Sequence, residues 1–202
     1  DDLKKIIDKR TLGVSINSRW IFSQEIIDLF DDKLINYHNA KIPEERGAAA
    51  YSWKILRGEK QGQLSFHKIE REIDRGPILM TMDISFPDTV SSPLDYYDCM
   101  NEKEEQFFLN FLQQFREKQT LEFEPINFEN SYYWPPLDTL THGWIDWDWS
   151  QDEICSFINA FSAPFQGGST VLKAQRVFLR RVTPFSSTLN FHPFQNGIVI
   201  RK

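Results

Sequence analysis

The chain has 202 residues, of which 41% are hydrophobic and 26% charged, the composition of a globular protein that can bury a core without disulfide support. Its formal charge of −6 argues against a broad nucleic-acid footprint, and no apolar run approaches the length of a membrane span. Cys99 and Cys155 fit neither a C-x-x-C pair nor zinc-ligand spacing, and Asp1-Asp2-Leu3-Lys4-Lys5 has no signal-peptide character, so a cytoplasmic protein with reduced thiols is expected.

Leu3 to Arg10 predicts the end of a helix, and Leu12 to Ile16 a short buried strand. Asn17-Ser18-Arg19 is a polar turn, followed by a helix near Ser23 to Phe30 with Ser23 as its N-cap. Lys33 to His38 predicts a second strand. A proline-containing loop ends at Arg46-Gly47, and Ala48 to Arg57 predicts a helix closed by Gly58.

Gln63 to Ile69 and Pro77 to Ile84 predict two further strands, and Pro93 to Lys118 a long amphipathic helix. Glu122 to Trp149 lacks a regular period and is rich in Pro and aromatic residues, as expected of an ordered connector. Ser150 followed by Glu153 is a capping box that starts a helix running to about Phe161. Thr170 to Arg181 and Gly197 to Arg201 have β character. Strands alternating with helices predict an α/β domain with a partly parallel sheet.

Two local features carry chemistry. In Leu34-Ile35-Asn36-Tyr37-His38, the period of a strand places Asn36 and His38 on one face at its carboxyl end, where α/β sheets bind ligands. An Asn amide can donate to an oxyanion, and a His can move protons near neutral pH. Asp74, in a tight loop before a strand, is placed to orient an imidazole. His67, His142 and His192 are spread out, lack carboxylates at ligand spacing and predict no metal site. His67 is expected to pack or hydrogen-bond within its strand. Arg176, Arg180 and Arg181 are expected to face solvent.

The run INYHNAKIPEERGAAAYSWKILRGE, followed by LSFHKIEREIDRGPIL, resembles the formyltransferases that use 10-formyltetrahydrofolate. In order and spacing it is similar to their Asn-x-His, Arg-Gly, helix, strand and catalytic-Asp signature. SINSRWIFSQEIIDLF, HGWIDWDWSQDEICSFINAFSAPFQGGSTVL and FHPFQNGIVI extend the resemblance from about Leu12 onward. Asn39-Ala40-Lys41-Ile42-Pro43 departs from the family's usual Pro-Ser-Leu-Leu-Pro, a change expected to follow the substrate. The resemblance also implies that the family's first strand-helix units are missing here.

By this resemblance, residues 1–121 form a partial Rossmann-like catalytic core with a mostly parallel sheet. Residues 122–202 form an aromatic connector, a helix and a β-rich C-terminal region. Asn36, His38 and Asp74 are the implied catalytic residues, with His38 protonated. Trp20, Ile21, Phe22 and Ile73 are implied on the folate side, and Lys41, Arg46 and Arg75 on the acceptor side. The co-substrate is 10-formyltetrahydrofolate, without a metal. The expected acceptor is a nucleotide-linked amino sugar. The alternatives are a methionyl-tRNA formyltransferase and a non-catalytic homologue that binds folate or a partner. A homodimer is one assembly to consider, and neither a membrane nor nucleic acid is an expected partner. Tyr132-Tyr133-Trp134 and the Trp144, Trp147 and Trp149 cluster are candidate surfaces for the nucleotide base, or anchors of the C-terminal region.

Overall fold

The computed structural model describes residues 2–18 and 20–184. Arg19, His192 and the β stretch expected at Gly197 to Arg201 lie outside the described residues. Two compact units form, and neither is continuous in sequence. The first comprises Asp1–Ala50, Glu59–Asp88 and Tyr97–Pro136; the second comprises Tyr51–Gly58, Thr89–Tyr96 and Leu137–Lys202.

The first unit is built on a four-stranded sheet in the order β1-β2-β4-β5. The strands are β1 (Gly13–Ile16), β2 (Leu34–His38), β4 (Gln61–Lys68) and β5 (Ile78–Ser85). A second sheet of only two strands pairs β3 (Arg46–Gly47) with β6 (Tyr133–Trp134). The expected parallel pairing is found between β1 and β2, which are joined through helix α2 (Gln24–Asp28). β4 pairs antiparallel with β2, and β5 antiparallel with β4, to which it is joined directly by the loop that carries Asp74.

One face of the sheet buries Ile35, Tyr37, Leu64 and Phe66. Helix α4 (Pro93–Lys118) lays Phe107, Phe108 and Phe111 on that face, with Phe66 stacked on Phe107 at 5.0 Å between ring centres. On the α2 side, Ile27, Leu34 and Ile69 form a small cluster, with Phe22 and Phe30 packed against it. Ser23 takes the extended N-cap conformation of α2 but makes no side-chain cap bond. Helix α1 covers only Leu3–Ile6, shorter than the sequence pattern predicts.

The connector is divided in its role. Glu124 bonds through both backbone groups to Ile78, and Tyr133–Trp134 pairs with Arg46–Gly47, so its first half is tied to the first unit.

In the second unit, α3 (Ala50–Arg57) places Ser52 Oγ on the Ala160 carbonyl at 2.7 Å, and Tyr51 stacks on Tyr96. After the short α5 (Thr139–His142) comes α6 (Gln151–Ala160), which begins with the expected capping box: Ser150 Oγ accepts from Glu153 N, and Glu153 accepts from Ser150 N. Ser150→Ala is expected to lower stability by about 1 kcal/mol, measured as a shift in the denaturant midpoint. An unchanged midpoint would deny the cap any energetic role.

The β stretch from Thr170 to Arg181 forms a hairpin of β7 (Gly168–Leu172) and β8 (Gln175–Leu179). The turn residues Lys173 and Ala174 both have positive φ, the geometry that matches the twist of paired strands. Arg176 is not a freely solvated side chain. It donates to the Thr139 and Leu140 carbonyls and to Ser169 Oγ, and lies 4.0 Å over the Trp144 ring.

Candidate active site

The sheet register creates the site. Ser15 on β1 lies opposite Asn36 on β2, and Asn36 lies opposite His67 on β4. Directly opposed residues share a face, so three polar residues form a row across three strands. His38 follows two positions after Asn36 on the same face. The β4–β5 register shifts between Phe66 and His67, a local irregularity of the kind that re-aims side chains near sites.

Asp74 enters from the connection between β4 and β5. Its φ of 51° lies in the left-handed region, which Asp tolerates better than most residues. Its Oδ2 accepts from Gly47 N at 2.8 Å and lies 3.8 Å from His38 Nε2. Its Oδ1 lies 3.5 Å from His67 Nε2. The His38 and Asp74 side chains are only 14% and 10% exposed, so the carboxylate acts on the imidazole with little screening by water.

The hydrogen bonds constrain the imidazole tautomers. His67 Nδ1 lies 2.8 Å from the Lys68 carbonyl, which needs an N–H from it. In the tautomer with its proton there, Nε2 accepts from Asn36 Nδ2 at 3.2 Å. That bond uses one amide hydrogen of Asn36 and leaves the second for a ligand. His38 Nε2 faces two acceptors, the Glu45 carbonyl at 3.4 Å and Asp74, so a proton on Nε2 leaves Nδ1 with a free lone pair.

Burial lowers the His38 pKa, and this outweighs the attraction of Asp74; His67 adds to the lowering, while the bond to Glu45 opposes it. Burial thus favours the neutral imidazole, because a buried ring loses the hydration of its charge. For Asp74, burial acts to raise the pKa, but its close contacts with the His67 and His38 rings and the Gly47 N–H together hold it at about 2.

This carboxylate predicts an acid sensitivity. Its folded pKa lies below its ordinary 3.8, so its contribution is present above 3.8 and is lost as pH falls toward 2. The shift corresponds to about 2 kcal/mol. Urea midpoints should fall across that window in the parent protein and fall less steeply in Asp74→Asn. Parallel curves would mean that Asp74 is not held as described.

The other expected site residues are placed less uniformly. Ile73 directly precedes Asp74, and its carbonyl accepts from Arg46 at 3.1 Å. Trp20 and Ile21, just beyond the carboxyl end of β1, are 83% and 74% exposed, whereas Phe22 turns into the core cluster. Lys41 pairs with Glu44 at 3.0 Å, and Arg75 with Glu72 at 2.7 Å. Arg75 also lies 4.4 Å over the Phe128 ring. Trp147 donates to Thr170 Oγ1, and Trp149 packs edge-on against Phe157, so these aromatics anchor the second unit.

Two participants were not assigned to the site from sequence. His67 is the more important, and its signal is the alternation of Ser65, Phe66 and His67, which places it opposite the core face. Gly47 is the other, since its backbone N–H holds Asp74. Among the described residues, no group of three or more His, Cys, Asp or Glu forms a metal site, and no helix is long and apolar enough to cross a membrane.

An amide donor and a buried imidazole on one sheet face, with a loop carboxylate beside the imidazole, make a site suited to acyl-type group transfer. The Formyl transferase profile matches residues 16–112, and the Formyl transferase C-terminal domain profile matches residues 139–201. The chain belongs to the formyl transferase family.

It is 38% identical over 82 residues to the methionyl-tRNA formyltransferase of Mycoplasma genitalium, a match covering 41% of this chain and 26% of that protein. The aligned part thus spans about a quarter of that curated relative's length. The fold is similar to a 4-N formyltransferase from Francisella tularensis, with a TM-score of 0.72 and 19% identity over 90% of this chain and 74% of that one. It is also similar to an N-formyltransferase from Helicobacter canadensis, solved with folinic acid and dTDP-3-aminofucose. There the TM-score is 0.62, with 23% identity over 79% of this chain and 58% of that one.

Proposed function

We propose that the chain transfers a formyl group from 10-formyltetrahydrofolate to the amine of a nucleotide-linked amino sugar. The observation that carries this reading is the placement of Asn36 and His38 on one strand face with the Asp74 carboxylate beside His38, leaving an unused Asn36 amide hydrogen and a free His38 Nδ1. Trp20, Ile21, Phe22 and Ile73 are proposed on the folate side, and Lys41 and Arg75 on the acceptor side.

The neutral amine of the acceptor attacks the formyl carbon and forms a C–N bond. Negative charge develops on the formyl oxygen, where the Asn36 amide donates. His38 takes a proton from the nitrogen that has become cationic, and the buried Asp74 carboxylate favours the imidazolium formed at that moment. The bond from the formyl carbon to the folate nitrogen then breaks, and His38 returns the proton to that nitrogen. Tetrahydrofolate leaves, and every atom is accounted for without a metal.

The amino-sugar acceptor is supported by the ligand of the H. canadensis relative and by the acidic balance of this chain. The curated relative favours a second reading, in which methionyl-tRNA is the acceptor. The deciding experiment uses the full-length protein, 10-formyltetrahydrofolate, a panel of nucleotide-linked amino sugars and charged initiator tRNA. Formylation of an amino sugar alone supports the first reading. Formylation of the tRNA alone replaces it with the second.

A further inference from the structure

The family resemblance implies Arg46 on the acceptor side. Its hydrogen bonds point to a different task. Nε donates to Ser131 Oγ at 2.8 Å, and Nη1 donates to the Ile73 carbonyl at 3.1 Å. That carbonyl belongs to the peptide joining Ile73 to Asp74, so fixing its plane helps to set φ of Asp74. The φ of 51° is a conformation that non-glycine residues keep only when their surroundings impose it.

The next residue, Gly47, holds the Asp74 carboxylate through its backbone N–H. Two consecutive residues of β3 thus grip both the backbone before Asp74 and its side chain. β3 is itself held by the connector: Arg46 N donates to the Tyr132 carbonyl, and Ala48 N to the Trp134 carbonyl. Phe128 lies under Arg75, the residue that follows Asp74. Residues 128–134 therefore brace the Asp74 loop on both sides.

We infer that Arg46, braced by Ser131, is a positioning residue that aims the Asp74 carboxylate at His38, and does not anchor acceptor phosphate. The kinetic half of this inference rests on the formyl-transfer reading. The structural half does not, because it can be followed in the free protein through the His38 imidazole.

The test is NMR titration of His38 in the full-length protein, with steady-state kinetics on the accepted substrate. The groups acting on His38 are Asp74, His67 and Glu45. Removing the Arg46 charge by itself would raise the His38 midpoint, whereas displacing Asp74 would lower it. Arg46→Met is expected to lower the midpoint, in the same direction as Asp74→Asn. It should lower kcat at least about tenfold with acceptor KM changed less than about threefold. Ser131→Ala keeps the arginine charge and should shift both readouts in the same direction by a smaller amount. Arg46→Lys should not restore the parent midpoint, because one ammonium cannot reproduce the two directed bonds. The double variant Arg46→Met/Asp74→Asn should be little worse than Asp74→Asn alone.

A raised or unchanged midpoint in Arg46→Met would overturn the inference, as would a tenfold rise in acceptor KM with kcat preserved. If Arg46→Met does not fold, Ser131→Ala decides alone, and an unchanged midpoint and kcat there would reject the brace. If no formyl transfer is found with any acceptor, the functional reading fails, while the titration still tests the positioning.

Discussion

Changing His38 to Asn is expected to lower turnover by about two to four orders of magnitude, the range for loss of a positioned proton-transfer group. The chain should still fold. His38 ends strand β2, its ring bonds only at long range to the Glu45 carbonyl, and an Asn there retains an amide N–H for the same acceptor. Asp74 keeps the Gly47 N–H and its place beside His67 in the variant, so no buried carboxylate is left unpartnered. The measurement is kcat at saturating co-substrate and acceptor, alongside a thermal melt. Turnover within tenfold of the parent would remove His38 from the chemistry. A lost melting transition would mean that the residue supports the fold instead.

Gly47→Ala should be expensive in a different way. Gly47 has φ of 110°, a region open to glycine and strained for residues bearing a Cβ. A Cβ there would overlap the Trp134 carbonyl oxygen, which is fixed by its bond from Ala48 N. The neighbour is backbone and cannot rotate away. Strain plus loss of the β3–β6 pairing should cost about 3 kcal/mol, and activity should fall further because the N–H holding Asp74 moves. Gly58→Ala provides the comparison. Its φ of 66° is also positive, but nothing lies within 4 Å of the added Cβ. That variant should lose only about 1 kcal/mol. Equal losses in chemical denaturation would mean that the contact with Trp134 is irrelevant.

What was legible in the sequence was what short-range pattern encodes. Helix α4 spans Pro93–Lys118 as its apolar period predicts, and the Ser150–Glu153 cap forms as written. Asn36 and His38 share a face because a strand repeats every two residues, and the Asp74 loop follows from its place between two strands. What was not legible depends on register and distance. His67 enters the site because antiparallel pairing sets it opposite Asn36, and nothing within β4 alone specifies that partner. The β3–β6 ladder is two residues long and carries no period at all. The turn at Lys173–Ala174 lacks the Asn or Gly that usually marks positive φ, so the division of this β stretch into two strands is not visible in sequence. The lowering of the His38 pKa is likewise not legible in sequence, because it comes from burial rather than residue type.

The bond between Arg46 and Ser131 joins residues 85 positions apart. During translation at typical speeds, on the order of ten seconds separates their synthesis. Over that interval Arg46 and Gly47 have no strand to pair with, and the loop bearing Asp74 lacks its brace. A nascent chain halted once α4 has left the ribosome should already contain the sheet and its aromatic face. The Asp74 carboxylate should take its final position only after Trp134 has left the ribosome. Chemical competence is thereby tied to completion of a segment that contributes none of the three proposed catalytic side chains.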